Sequence, residues 1–267
     1  LHMEHDDPYE KTLPKVGQFV LEIFLIYLVL TFICAIFYFI AGMSGFDSAA
    51  HAMTTIATGG FSTHDNSFGY FNSMNIEFVS ILFMIVGSLP FVLYLKIIHG
   101  DWKSLFKDDQ VKLFIIIVLC LIFITTLWLR FNLQENIYYS LRVASFNIIS
   151  ILTGTGYTSL NFNSWGGFGL TVMFIIMFIG GCAGSTTGGV KIFRLQLLFR
   201  AAQSQIKKLT QPHGVFLTLF NGKSVKEDTL HSVMGFFFMY ILIFILSATC
   251  LSFLGLDYLT SISAAAS

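Results

Sequence analysis

Two short runs of glycine and hydroxyl residues are the part of this sequence equipped to do chemistry. Ala57-Thr58-Gly59-Gly60-Phe61-Ser62-Thr63 and Thr153-Gly154-Thr155-Gly156-Tyr157-Thr158-Ser159 place Gly60 and Gly156 96 residues apart, matching Phe61 with Tyr157 and Ser62 with Thr158. What these runs offer is main-chain carbonyl oxygen. Glycine adopts backbone angles that residues with a Cβ resist, and a row of carbonyls so held can replace the hydration shell of a monovalent cation. Helix-like stretches precede both runs: Ser48 to Ile56, with Asp47 as its expected N-cap, and Ile137 to Leu152 after Asn136. A short helix aiming its C-terminal end at the ion adds its partial negative charge. Phe61 and Tyr157 are expected to wedge the loops against their neighbours, and Ser62 and Thr158 to tie down freed backbone groups. Read singly, each run is an ordinary hairpin loop, where Gly, Ser and Thr are common. Two copies in equivalent positions, each behind a short helix, favour a pore loop.

The elements that position these loops follow from the spacing of charges. Five stretches lack charge: Glu22 to Asp47, Glu77 to Lys96, Lys112 to Arg130, Arg142 to Lys191, and Asp228 to Asp257. A membrane span needs about 20 mostly apolar residues. The expected spans are 17–42, 76–97, 112–132, 168–200 (interrupted) and 230–254, with Pro90 kinking the second. Thirteen Lys and Arg fall on one side of these spans and two, Arg130 and Arg142, on the other. That bias makes the N-terminus cytoplasmic and turns both glycine loops outward.

The repeating unit is outer helix, short pore helix, glycine loop, inner helix. The expected organisation is a cytoplasmic segment 1–16, a pore repeat 17–97 with its filter near 58–62, and a cytoplasmic loop 98–111. A second repeat, 112–204, has its filter near 154–158. A cytoplasmic loop 205–229 then leads to the start of a further repeat, 230–267. Gly255-Leu256-Asp257 matches Gly45-Phe46-Asp47 at an offset of 210, so a third filter glycine is expected near position 270 and the chain reads as a fragment. Non-helical backbone at membrane depth survives only inside protein or beside a water-filled cavity.

A second segment breaks the helical pattern. Gly180-Gly181-Cys182-Ala183-Gly184-Ser185-Thr186-Thr187-Gly188-Gly189 holds five glycines and three hydroxyls in ten residues, with Lys191 and Arg194 behind it. One reading is a close-packing helix face, since Gly180, Gly184 and Gly188 are four apart. The other is an unwound stretch of the inner helix that gates the path below the filter. It is not a phosphate loop, because Val190 stands where that motif needs Lys.

Composition closes off other classes. Hydrophobic residues make up 55% of the 267 and charged residues 11%, far from a soluble domain, and fifteen acidic residues balance fifteen basic ones. Cys34, Cys120, Cys182 and Cys250 stand apart in apolar stretches and read as small buried side chains rather than a disulfide framework or zinc site. His51 reads as a polar contact within the fold.

The two glycine loops, together with Gly-Gly-Cys-Ala-Gly-Ser-Thr-Thr-Gly-Gly-Val-Lys-Ile-Phe-Arg, resemble the Trk/Ktr/HKT superfamily of potassium transporters over essentially the whole chain. The resemblance implies an all-α integral membrane fold in which four helix–pore-loop–helix repeats surround one ion path pseudo-fourfold. One glycine per repeat lines the filter, here Gly60 and Gly156. Thr58, Gly59, Phe61 and Ser62, and Gly154, Thr155, Tyr157 and Thr158, flank them. The carbonyls of Thr58, Gly59, Gly154 and Thr155 are then the potassium ligands, and residues 180–189 the intramembrane gating loop. It further implies a homodimer in the bacterial inner membrane, regulated by a cytosolic nucleotide-binding ring (TrkA-like). Potassium is then the permeant ligand and the chain itself carries no tightly bound cofactor. The chain departs from the pattern in lacking the first repeat, the fourth filter and the last inner helix. Neither loop has the full Thr-Val-Gly-Tyr-Gly run of potassium channels, so fewer carbonyl sites and weaker rejection of sodium are expected.

The expected function is passive, potassium-preferring cation uptake. A cation-coupled secondary transporter with broken helices is the alternative, but such proteins place charge at mid-membrane, where these spans have almost none. An intramembrane enzyme lacks a catalytic constellation here, and a purely structural subunit leaves both glycine loops unexplained.

Overall fold

The computed structural model describes residues 8–160, 165–211, 214 and 216–266, with side chains described from residue 16 onward. Helix α1 (Pro8–Ile40) leads into the short α2 (Gly45–Ile56) and the first glycine loop, and α3 (Met74–Ser88) and α4 (Phe91–Ile98) return. Helix α5 (Lys103–Lys107) connects to α6 (Asp109–Asn132), the short α7 (Ile137–Leu152) and the second glycine loop. Helices α8 (Gly166–Met177) and α9 (Ile192–Thr210) follow. A two-stranded hairpin, β1 (Leu219–Phe220) and β2 (Lys223–Ser224), precedes α10 (Glu227–Phe253) and α11 (Tyr258–Ala266).

Among the described residues, three helical stretches are long and apolar enough to cross a membrane, Val16–Ile40, Asp109–Asn132 and Glu227–Phe253, and the bent pair Met74–Ser88 and Phe91–Ile98 passes the same test taken together. Their outward faces carry large exposed apolar side chains, such as Phe32, Ile40, Phe123 and Phe238, as lipid-facing helices should. The short helices sit behind them. Helix α2 packs on α1, α7 packs on α6, and α3 lies between α2 and α7, so the inner helix of the first repeat separates the two pore helices. Buried side chains from α2, α3 and α7, among them Ile56, Phe83, Met84, Phe146, Ile148 and Leu152, form the core between them.

The second span is broken more sharply than a proline kink. Helices α3 and α4 meet at 91°. Pro90 has no N–H, so the carbonyl of Val86 loses its helical partner and takes the Tyr94 hydroxyl at 2.6 Å and the Leu89 amide at 3.3 Å instead. The fourth expected span is interrupted, as its glycine-rich middle implies. Residues 166–177 and 192–210 are separate helices, and the fourteen positions between them are non-helical, because five glycines and three hydroxyls leave little to hold a helix together there. The close-packing glycine face therefore has no helix to lie on.

Smaller expectations also change. The N-cap of α2 is Ser44, whose hydroxyl oxygen accepts from the Asp47 amide; Asp47 lies inside the first turn, where its charge suits the helix dipole. Helices run through the expected boundaries at 16/17, 111/112, 204/205 and 229/230. The expected cytoplasmic segments at 1–7 and at 212, 213 and 215 lie outside the described residues. Cys34 and Cys182 are buried, but Cys120 and Cys250 are exposed on the apolar faces of α6 and α10.

Candidate functional site

Each glycine loop is folded by the last turn of its own helix. The carbonyl of Thr54 accepts from the amides of Gly59 and Gly60 at 2.8 and 3.4 Å, and that of Ser150 from Thr155 and Gly156 at 3.0 and 3.1 Å. The Thr54 hydroxyl donates to the Phe61 carbonyl at 2.8 Å, and the Ser150 hydroxyl to the Tyr157 carbonyl at 2.6 Å. These pairs correspond one to one at the offset of 96. One turn earlier, His51 joins the Asp47 carbonyl (2.8 Å) to the Ser62 hydroxyl (2.9 Å). Asn147 joins the Val143 carbonyl (2.9 Å) to the Ser159 hydroxyl (3.0 Å). The carbonyl partner requires a proton on His51 Nδ1, and in the neutral ring Nε2 then accepts from the Ser62 hydroxyl. Side chains that could compete with a helix are used instead to stop one and stabilise the turn that follows.

The backbone then turns left-handed at matching places: Thr58 (φ +50°) and Gly154 (φ +70°), then Gly60 (φ +68°) and Gly156 (φ +81°). The two loops touch. A Cβ on Gly60 would stand 1.6 Å from the Thr155 carbonyl oxygen, so only glycine lets the first loop lie against the second. Thr58 and Thr155 are buried, whereas Gly59, Gly154 and Gly156 remain exposed along the loops.

The aromatic residues diverge. Tyr157 is fully buried, with its ring 4.3 Å from Phe68. Its hydroxyl reaches α2 of the other repeat, 2.5 Å from the Thr54 hydroxyl, 3.1 Å from that of Thr55 and 3.1 Å from the His51 carbonyl. Phe61 is 77% exposed and wedges nothing among the described residues. Ser62 acts as expected, accepting the His64 amide at 3.2 Å. Thr158 is held instead through its backbone, its amide donating to the Ser67 hydroxyl (3.3 Å) and its carbonyl accepting from Gly69 (3.1 Å).

At the N-terminal end of α2, Asp47 accepts from the hydroxyls of Thr63 (2.6 Å) and Ser44 (2.7 Å). Those two hydrogen bonds hold its carboxyl below the usual carboxylate range.

The segment 180–189 docks under these loops, and its unpaired backbone is satisfied by the Pro90 break. Cys182 donates to the Ser88 carbonyl (3.0 Å), Thr186 to that of Gly87 (3.3 Å), and Phe91 donates back to Gly184 (2.9 Å). The Thr186 hydroxyl also reaches the carbonyl of Ile56, the last residue of α2, at 2.8 Å. Ala183 donates to Gln110 on α6 at 2.8 Å. The ends of the segment close on themselves. Gly180 donates to Val190 (2.8 Å), and a Cβ on Gly180 would lie 2.0 Å from the Gly188 carbonyl. Ser185 and Thr187 share a hydrogen bond of 2.8 Å, Gly181 donates to the Thr187 hydroxyl, and the Lys191 ammonium donates to the Thr187 carbonyl. Gly188 approaches Gly154, its nitrogen 3.6 Å from where a Cβ on Gly154 would sit; Gly189 turns left-handed at φ +65°. Two helix breaks, costly apart, thus complete each other's hydrogen bonding.

Thr54 with Ser150, and His51 with Asn147, escape attention in the sequence as loop-builders. The 96-residue alignment that pairs the glycines also pairs these residues, and following it one turn upstream finds them. The ion pair between Glu77 and Arg142 has no such signal.

Residues 2–267 match the model of a family described as TrkH, cation transport protein. The chain is similar to the Trk system potassium uptake protein TrkI of Halomonas elongata, at 37% identity over 99% of this chain and 54% of that protein. It is similar also to the Trk system potassium uptake protein TrkH of Salmonella typhimurium, at 35% identity over 92% of this chain and 52% of that one. The crystal structure of the potassium transporter TrkH from Vibrio parahaemolyticus superposes with a TM-score of 0.90 at 34% identity, covering 95% of this chain and 55% of that chain. The chain spans about half the length of the curated relatives it matches.

Proposed function

The chain belongs to the TrkH family of cation transport proteins, and from that premise we propose that it lines part of a potassium uptake path in the bacterial inner membrane. In this reading a dehydrated potassium ion passes the carbonyls of Thr58, Gly59, Gly154 and Thr155, held by the turns at Gly60 and Gly156. The observation that carries it is the contact of two loops with the same hydrogen-bond pattern, at Gly60 and Thr155, behind the C-terminal ends of two short helices. Carbonyls fixed by the protein give up little when they replace water, and helix C-termini favour a cation.

Residues 180–189 act as the gate in this proposal. Their contacts with Ile56 and with the Pro90 break support it, since a loop held by hydrogen bonds can move aside without unfolding a helix. The N-terminus of the chain lies on the cytoplasmic side, the functional unit is a homodimer, and a cytosolic nucleotide-binding ring sets the gate. The positive-inside bias supports the orientation; the family resemblance supports the dimer and the ring.

The test is potassium-dependent growth of an uptake-deficient bacterium expressing the protein at full length. Gly156→Ser abolishes uptake or raises sodium permeation; wild-type selectivity in that variant overturns the filter assignment. Deleting Gly181–Thr187 makes uptake independent of regulation, and unchanged permeation and regulation overturn the gate.

A further inference from the structure

We infer that Glu77 and Arg142 are positioning residues for the second filter loop, a role that rests on the pore reading above. Arg142 Nε donates to Glu77 Oε2 at 2.7 Å and Arg142 Nη2 to Glu77 Oε1 at 2.9 Å, a two-pronged ion pair across 65 residues of sequence. The Glu77 side chain is 7% exposed and that of Arg142 27%. Glu77 stands in the first turn of α3, where the helix dipole favours its charge, and Arg142 in the second turn of α7.

The placement matters more than the strength. Arg142 precedes Ser150, the residue that folds the second loop, by eight positions, roughly 12 Å of helix. The second pore helix is therefore held to the first repeat at two heights: at its filter end through Tyr157 on α2, and at its outer end through Arg142 on α3. Apolar packing against α3 is non-directional, and beside it a single polar attachment leaves the helix room to tilt. Two fix the tilt, and with it the height of Gly154 and Thr155 opposite Gly60. The planar guanidinium matches the carboxylate in only one orientation, so the pair also sets the rotation of α7.

The brace belongs to the second repeat alone. At the offset of 96, Arg142 corresponds to Phe46, which is exposed, and Glu77 to Met173, which is buried. The hydrogen bonds within each loop have counterparts in the other, from Thr54 and Ser150; the Glu77–Arg142 pair and the Tyr157 hydroxyl have none, and both join one repeat to the next.

The experiment compares Glu77→Gln, the double variant Glu77→Met with Arg142→Met, and Gly156→Ser in the full-length protein, reading potassium and sodium uptake at matched membrane levels. Glu77→Gln leaves the half-buried Arg142 guanidinium without its counter-charge, whereas the double variant removes both charges and nearly keeps the volume. A purely structural pair predicts that the double variant accumulates and selects ions like the wild type. A positioning pair predicts that it accumulates normally while its potassium-over-sodium preference falls about tenfold. Wild-type preference in the double variant overturns the inference. If Gly156→Ser also keeps wild-type preference, the filter reading fails with it; if Gly156→Ser alone changes it, the filter reading stands and only the brace is lost. Should Glu77→Gln fail to accumulate, the double variant still decides.

Discussion

The loop after α2 and the loop after α7 have the same backbone and different surroundings. In both, a hydroxyl residue six positions ahead of the closing glycine caps the turn. Yet Tyr157 is buried against the neighbouring repeat, whereas Phe61 faces outward. Gly60 presses on a carbonyl, whereas Gly156 has open space beside it. The comparison separates two layers of specification. Local hydrogen bonds make a loop of this shape from about fifteen residues of sequence. Contacts between repeats decide what each position in the loop tolerates.

The sharpest way to break this comparison is to make the same change in both loops. Gly60→Ala drives a methyl into the Thr155 carbonyl, 1.6 Å away. It is expected to separate the loops, abolish uptake and cost on the order of 4 kcal/mol or more. Gly156→Ala meets no atom within 4 Å, so it pays only for a left-handed residue, about 1–2 kcal/mol. Thermal unfolding in detergent, with uptake alongside, checks the contrast; equal losses would mean that the loops do not meet as described.

A smaller contrast lies in the aromatic pair. Tyr157→Phe keeps the ring and removes the hydroxyl shared with Thr54, Thr55 and the His51 carbonyl. The expected cost is about 1–3 kcal/mol, because buried partners lose a hydrogen bond. Phe61→Leu changes an exposed position and is expected to stay within about 0.5 kcal/mol in this chain. Denaturant midpoints of the two variants test the difference.

The smallest effect is one of pH. Asp47 titrates below its ordinary value because Thr63 and Ser44 hydrogen-bond its carboxylate. Its contribution is complete above the ordinary carboxylate pKa and is lost as pH falls through the lowered one. The corresponding residue of the second repeat is Val143, which cannot titrate. Protection of the His64 amide, taken against its intrinsic exchange rate at each pH, should therefore fall in acid while that of the Thr158 amide does not, and Asp47→Asn should remove the difference.

Much of this architecture is legible in the chain. Spacing between charges locates α1, α6 and α10, because a helix in lipid must run about 20 apolar residues before a charge is affordable. The boundaries of α7 follow from Asn136 before it and the glycines after it. The 96-residue repeat identifies both loops, since glycine and hydroxyl residues are conspicuous in apolar surroundings. Pro90 marks a break, but not its 91° angle, because proline removes one hydrogen bond and leaves the new direction open.

Sequence alone determined where the long apolar spans α1, α6 and α10 lie, that a short helix precedes each glycine loop, and that the two loops are copies, because those features rest on local hydrogen bonds and on the solvation of single helices. Tertiary structure alone decided that the loops meet at Gly60 and Thr155, that residues 180–189 complete the hydrogen bonding of the Pro90 break, and that Arg142 finds Glu77. Each of those joins groups 65 or more residues apart. Polar groups buried out of water take whichever partner the packed helices bring near, and no local pattern names that partner in advance.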